Sequence, residues 1–562
     1  MLWEVTLPVL SGILYSLSFP PFNFSLLAWI ALVPLILSLR GGQRPSKQSL
    51  DFQKLEFASP ASGGLAITFV QGLLTGVIAN LIIFFWIWAT FNAAKIGFLT
   101  TLGCWLSLAL ILGTYFGLFA LGLSFIRNPW LRPWFGGALW VCLEHIRSFI
   151  LTGFPWATLS QTQVHNLPLI QIASLTGAPA ISFIIVAVNV TLADCVLSLR
   201  GPQISGESRH SCESRNLSRK TSFKIMFETW MPAFAGMTKN FVGVFGPVFA
   251  VLLSVFIFGF IRVSNYPPAT SHLKAAILQG NIDQYKKWDA QYEAEVRTTY
   301  ENLAQKSAQS KPNLIIWPES AVPGWFPNDK FYAEWVQKVV KETKTYNIVG
   351  ACSSSREGEF NSAFLLSPEG EILNQYSKIH LVPFGEYIPF GRIFKKWVPY
   401  LGELGAFTPG TGEVIFKIKS SISISTNICY EAIFAGIIRN CVKEGADIIV
   451  NLTNDGWFLK TGAPEQHFNA NILRAVENAR PVVRAANTGI SGVIDPTGRI
   501  LLKTPLMETV EYSVEVPIAN PGLTFYTRWG EWFTILCWAG IIAGLILKSM
   551  RRKDLRPEPA SS

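Results

Sequence analysis

Apolar and polar positions along this chain follow two different rhythms. Up to about residue 262, apolar residues come in long blocks separated by short polar stretches. From 271 to 520 short β-rich runs alternate with helical stretches and charge is spread as in a globular domain, and near 531–548 one further apolar block closes the pattern. A helical span needs about 20 mostly apolar residues. Segments near 5–20, 22–39, 66–90, 96–126, 133–150, 179–199, 242–262 and 531–548 meet that demand, which predicts eight spans, the first two joined through "FPPFN" as a helical hairpin. No small-residue cleavage site follows the first block, so it reads as a span and not as a signal peptide.

Inside 263–530 the rhythm is that of an α/β layered domain. "LKAAILQGN", "PNLIIWPES", "YNIVGACSS", "SISISTNIC", "ADIIVNLTND" and "PVVRAANTG" read as strands. "DAQYEAEVRTTYENLAQKSAQ", "FYAEWVQKVVKETK", "AIFAGIIRNCVKEG" and "EQHFNANILRAVENAR" read as helices between them. "SAFLLSPEGEILNQYSK" reads as a hairpin turning at Pro-Glu-Gly. The expected organisation is a seven-span domain over 1–262, an extracytoplasmic domain over 263–530, a last transmembrane helix at 531–550 and a cytoplasmic tail at 551–562. Residues 41–64 and 201–240 look like inserted loops in which no chemistry is expected.

Composition agrees with a membrane protein carrying a soluble insert: of 562 residues 50% are hydrophobic and only 15% charged. The net charge of +10 raises the question of a nucleic-acid partner. The basic residues argue against one, because they gather in short loops beside apolar blocks, as at Arg40, Arg44 and Lys47, Arg127 and Arg132, and Arg551 to Lys553. A nucleic-acid face concentrates them on one folded surface, whereas this distribution sets topology and puts 263–530 outside the cytoplasm. The 8 cysteines show no CxxC spacing, so neither a zinc site nor a thioredoxin-like motif is expected, and no cofactor or metal is called for.

Three strand ends of the soluble insert carry polar residues directly after apolar runs: Glu319, Lys378 and Cys429. An ordinary thiol is protonated at neutral pH and needs a base to become a nucleophile. A glutamate can take the proton, and a lysine can stabilise both thiolate and oxyanion. A helix beginning near Glu431 would add its dipole. Singly, each residue also fits a bland role: a solvated Glu, a surface Lys, a packed Cys. Spacing alone does not bring the three together.

"WPESA", "SKIHLVPFGEYIP" and "TNICYE" resemble the Glu, Lys and Cys motifs of the nitrilase (carbon–nitrogen hydrolase) superfamily. With "SFPPFNFSLLAWIALVPLI", "LTGFPWATLSQTQ", "LQGNIDQYKKWD" and "RAVENARPVVRAANTGISGVIDPTGR", nearly the whole chain resembles its membrane-bound apolipoprotein N-acyltransferase branch. The resemblance implies an αββα catalytic domain on the periplasmic side of a bacterial inner membrane. It implies Glu319 as general base, Lys378 as oxyanion partner and Cys429 as the nucleophile that carries an acyl thioester. It further implies supporting roles for Glu386, Glu431 and Glu477, a backbone oxyanion donor at Tyr430, and a lipid-substrate contact at Trp288. The implied reaction is ping-pong acyl transfer from a phospholipid, phosphatidylethanolamine in this family, to the N-terminal amine of diacylglyceryl-cysteine apolipoproteins, by a monomer. His380 and His467 are alternative partners for a Cys–His pair, a role that Lys fills in this family. Two further readings stand beside it: a membrane-anchored amidase or nitrilase acting on a small C–N substrate, and a transporter or receptor with an inactive nitrilase-like module.

Overall fold

The structure, a computed structural model, describes residues 2–39, 62–126, 128–199, 243, 245–284, 286–389, 407–418, 422–519 and 521–554. The insertions at 41–64 (apart from its last residues) and 201–240, and all but the last residue of the apolar loop 396–407, lie outside the described residues.

Among the described residues, four helices are long and apolar enough to cross a membrane: Gly64–Ile83, Phe98–Ser124, Pro179–Ser198 and Phe245–Ser264. Shorter apolar helices cover Trp3–Leu17, Ser25–Ser38, Leu167–Thr176 and Trp532–Leu547. Two apolar blocks differ from the expected continuous helices. Residues 22–39 form a 3-10 turn, Ser25–Trp29, and a helix of six residues, Val33–Ser38. The 66–90 block breaks at Phe84, where ψ of 24° interrupts the helix before Phe85–Ala93. Glycines let the long helices approach closely: a Cβ on Gly72 or Gly76 would lie under 3 Å from the facing Phe98–Ser124 helix.

Among the described residues, the soluble part forms two six-stranded sheets. The first has the order β12-β1-β2-β3-β4-β5 and the second β11-β10-β9-β8-β7-β6. Their strands are β1 (Ser271–Gln279), β2 (Leu314–Ile316), β3 (Tyr346–Ser355), β4 (Gly358–Leu366), β5 (Ile372–Ser377), β6 (Ile415–Ile418), β7 (Ile422–Ile428), β8 (Ile448–Thr453), β9 (Val482–Ala486), β10 (Gly492–Ile494), β11 (Ile500–Lys503) and β12 (Val510–Ile518). Central strands β1, β2 and β3 run parallel, as do β7, β8 and β9. The expected hairpin is β4–β5, turning through Gly370 at φ +80°, a conformation that favours glycine.

Side-chain alternation sorts these strands into layers. Ala275, Ile277, Ile316 and Leu365 face Ile424, Ile428, Val450 and Leu452, forming the core between the sheets. Ala276, Leu278, Ile315 and Val349 point the other way, against Tyr300, Leu303, Trp335 and Val339 of helices Glu293–Ala308 and Lys330–Thr343. On the far face of the second sheet, Ile449, Val482 and Ile494 join helix Ala463–Asn478 in a third core. That core continues without a break into Phe84, Trp140, Trp156 and Ile185 of the membrane helices. The αββα sandwich therefore has one outer helical layer on each side, and one of these layers is embedded in the membrane part.

Candidate active site

β7 ends at Ile428, and Cys429 follows with φ +51°, a left-handed conformation uncommon for a side chain with a Cβ. The expected helix at Glu431 is replaced by a 3-10 turn, Cys429–Ile433; the α-helix starts only at Ala435. The sharp corner is held by Glu431, which is fully buried and accepts from the Ile428 N–H at 2.7 Å. The same carboxylate accepts from the N–H groups of Ile379 (2.7 Å) and His380 (3.0 Å) and from the Tyr376 hydroxyl (2.8 Å). One side chain thus ties the cysteine corner of the second sheet to the lysine segment of the first.

Lys378 directly follows β5 and is 1% exposed. Its ammonium donates to Glu386 at 2.9 Å and lies 3.5 Å from Glu319 Oε1. Asn361, on β4, donates to both carboxylates, at 2.7 Å to Glu319 and 2.8 Å to Glu386. Two carboxylates, one ammonium and one amide form a closed cluster. Burial disfavours the Lys378 charge, but Glu386, Glu319 and Cys429 outweigh it and raise the ammonium's pKa above the usual lysine value. At Cys429, burial and the charge of Glu319 push the thiol up, against the pull of Lys378. The thiol is therefore protonated at neutral pH, and its activation requires a base at hand. Glu319, buried just beyond β2, is the carboxylate whose charge acts most strongly on the thiol.

Of the sequence-derived residues, the structure gathers Glu319, Lys378, Cys429, Glu386 and Glu431 into one site. Tyr430 is buried beside it, its hydroxyl donating to Gly153 O at 3.0 Å and its ring stacked near Phe154 and Trp156 of the membrane part. Glu477 has other partners than Lys378. It pairs with Arg474 at 2.8 Å and accepts from Ala178 N–H at 3.0 Å, at the start of a membrane helix. Its link to the site runs through Arg474, which donates to Ile433 O of the cysteine turn at 3.2 Å. Trp288 is 50% exposed, at the surface. His380 stacks on Phe434 at 3.7 Å.

Asn361 and Lys287 carried no sequence signal, and His467 had one only as an alternative partner for the cysteine. Asn361 sits mid-strand. Lys287 is buried and donates to the backbone O of Glu319 at 3.1 Å, burial bringing its pKa down to about 8. Beneath the nucleophile, Asp455, His467, Arg484 and Asn451 form a buried polar group. Cys429 Sγ, an Asp455 oxygen and a His467 nitrogen lie within 4.8 Å of one another, the donor types of a small metal site. Their atoms already have protein partners: Asp455 pairs with Arg484 at 2.8 Å, and both His467 nitrogens face polar atoms at 2.9 Å.

A buried thiol, carboxylate and ammonium near strand ends of an αββα sandwich have the chemistry that a nitrilase-type acyl transfer needs. Residues 274–516 match the carbon–nitrogen hydrolase family, and residues 11–191 match the apolipoprotein N-acyltransferase N-terminal domain. A curated apolipoprotein N-acyltransferase of Geobacter metallireducens is 34% identical over 98% of this chain and 96% of its own. That of Gloeobacter violaceus is 28% identical over 95% and 92%, and apolipoprotein N-acyltransferase 2 of Treponema denticola is 32% identical over 76% and 79%. The chain belongs to the apolipoprotein N-acyltransferase family.

Proposed function

We propose that this chain transfers a fatty acyl group from a phospholipid to the N-terminal amine of diacylglyceryl-cysteine apolipoproteins, through a thioester on Cys429. Glu319 takes the thiol proton as the sulfur attacks the sn-1 ester carbonyl. The oxyanion rests on the Lys378 ammonium and the Tyr430 N–H. The carbon–oxygen bond breaks, and the lysophospholipid leaves with the proton from Glu319. The apolipoprotein amine then attacks the thioester and gives up a proton to Glu319. The carbon–sulfur bond breaks, the amide forms, and the thiolate recovers its proton.

Phosphatidylethanolamine is the donor in this reading and the enzyme acts as a monomer. It sits in the inner membrane with eight spans and with 263–530 on the periplasmic side. Glu386 and Glu431 hold Lys378 and the Cys429 corner, Glu477 braces the corner through Arg474, and Trp288 meets lipid substrate at the surface. The observation that carries the proposal is the packing of the Cys429 turn directly on membrane-part aromatics, Phe154 and Trp156 stacking against Tyr430. A nucleophile meant for a small soluble amide has no need of that placement. A water-poor setting also protects a thioester from hydrolysis.

The test is intact mass after incubation of the full-length protein with phosphatidylethanolamine. An adduct of one acyl chain, absent in Cys429→Ala and released by hydroxylamine, is expected. Turnover of a soluble amide with no adduct would support the amidase alternative instead.

A further inference from the structure

His467 is fully buried on helix Ala463–Asn478, and no step above uses it. Its Nε2 lies 2.9 Å from the backbone O of Cys429. A carbonyl can only accept, so Nε2 carries a proton whatever the state of the other nitrogen. Nδ1 faces Asp455 Oδ1 at 2.9 Å and Arg484 Nη2 at 3.1 Å. Asp455 is itself held by Arg484 at 2.8 Å. Arg484 also donates to Asn451 Oδ1, while Asn451 Nδ2 lies 3.4 Å from the same Cys429 oxygen. Two donors of this buried network, His467 Nε2 and Asn451 Nδ2, thus meet at the Cys429 carbonyl, the second shared with Asn427 Oδ1 at 2.7 Å. Burial and the Arg484 charge lower the His467 pKa, Asp455 opposing them.

The peptide unit joining Cys429 to Tyr430 is rigid and planar, and in its trans form the C=O and N–H point in opposite directions. Fixing the carbonyl oxygen therefore fixes the N–H of Tyr430. At φ +51° the corner is in a sparsely populated conformation that persists only when its surroundings over-determine it. We infer that His467 is a positioning residue: by donating Nε2–H to the Cys429 carbonyl, it turns the Cys429–Tyr430 peptide so that the Tyr430 N–H faces away from His467, as the oxyanion donor. The inference rests on the acyl-transfer reading above.

The neighbours of His467 couple this orientation to the membrane part. Gln466 accepts from Trp156 Nε1 at 2.8 Å and donates to Pro20 O and Ile83 O, both at 3.1 Å. Helix Ala463–Asn478 is thereby pinned to the N-terminal apolar part of the chain.

Two reactions of Cys429 in the full-length protein separate this role from ordinary core filling. Acylation by phosphatidylethanolamine passes through an oxyanion, whereas alkylation by iodoacetamide does not. Removing an oxyanion donor typically costs a hundredfold or more. His467→Leu is expected to slow acyl-enzyme formation about 100-fold while alkylation stays within about threefold of wild type. His467→Gln, whose amide nitrogen reaches the Nε2 position, is expected to restore acylation to within about tenfold, and His467→Asn, whose amide reaches only the Nδ1 position, is not. A parallel fall of both reactions in His467→Leu, no fall in either, or equal rescue by Asn and Gln overturns the positioning role. Absence of an acyl adduct in the wild type instead overturns the acyl-transfer reading itself.

Discussion

Helices Lys330–Thr343 and Ala463–Asn478 occupy equivalent places, each covering the outer face of one sheet, yet they are buried to different degrees. The first buries Trp335, Val336, Val339, Val340 and Thr343, a single stripe of three- and four-residue spacing, and leaves its charges in water. The second buries every residue except Glu465, because the sheet takes one side and the membrane helices take the other. The consequence concerns the site. Glu319 and Lys378 come from the sheet whose helices face water, and Cys429 comes from the sheet fused to the membrane part. Cys429 is thereby fixed relative to the apolar helices, and Glu319 and Lys378 reach it across the seam between the sheets.

The strongest way to break this arrangement is to cut the tie across the seam. Glu431→Gln replaces a carboxylate that accepts from four donors with an amide whose own N–H₂ confronts some of them. A displacement of the reacting groups by about 1 Å costs on the order of a hundredfold, so turnover should fall about 100-fold. Steady-state transfer to a diacylglyceryl peptide measures this, and activity near wild type would mean the two halves are held together by something else.

Cutting the membrane-side attachment should act on stability more than on chemistry. Gln466→Leu strands the Trp156 indole N–H and two buried carbonyls. Each stranded group costs about 1–3 kcal/mol. A loss of about 3 kcal/mol, read as protease susceptibility or thermal inactivation in detergent, is expected with turnover reduced less than about tenfold.

Lys287 gives a smaller, pH-dependent signature on the water-facing half. Its folded pKa is about 8 against an ordinary 10.5, so between these values the unfolded chain binds more protons than the folded one. Stability contributed by this group must therefore rise as pH increases from about 8 to about 10.5. The difference in stability between wild type and Lys287→Met should grow in favour of wild type across that window; a flat difference would show that Lys287 keeps its ordinary pKa. The smallest effect belongs to the exposed face of Lys330–Thr343. Lys338 and Glu342 are 3.8 Å apart and largely exposed. Lys338→Ala should change stability by no more than about 0.5 kcal/mol.

Much of this was legible in the sequence, for identifiable reasons. Strands β1, β3, β7, β8 and β9 are long apolar or alternating runs, and the β4–β5 hairpin announces itself at Pro-Glu-Gly. Glu319, Lys378 and Cys429 stand out because each interrupts such a run at its end. Strands β6, β10 and β11 have only three or four residues each, too few for a period to register. Helix Ala463–Asn478 is legible as a helix but its burial on two faces is not, since its partners Pro20, Ile83 and Trp156 lie more than 300 residues away in sequence. Asn361 carries no local signal for the same reason, and His467 is legible only as an alternative Cys–His partner. Their roles depend on contacts with Glu319, Glu386 and Cys429 that no local pattern encodes. The corner at Cys429 was read as the start of a helix because the sequence after it is apolar and helix-compatible. The buried Glu431 carboxylate instead holds a 3-10 turn there.

In the proposed reaction one cysteine, on the half joined to the apolar helices, receives an acyl chain from lipid and passes it to an amine. A single chase experiment addresses it. Full-length protein is loaded with acyl-labelled phosphatidylethanolamine in vesicles, separated from free lipid, and mixed with a diacylglyceryl-cysteinyl peptide. The label is expected to leave Cys429 and appear as an amide on the peptide N-terminus, with no free fatty acid in excess of it. Label that is never found on Cys429, or that leaves it only as free acid, would contradict the account.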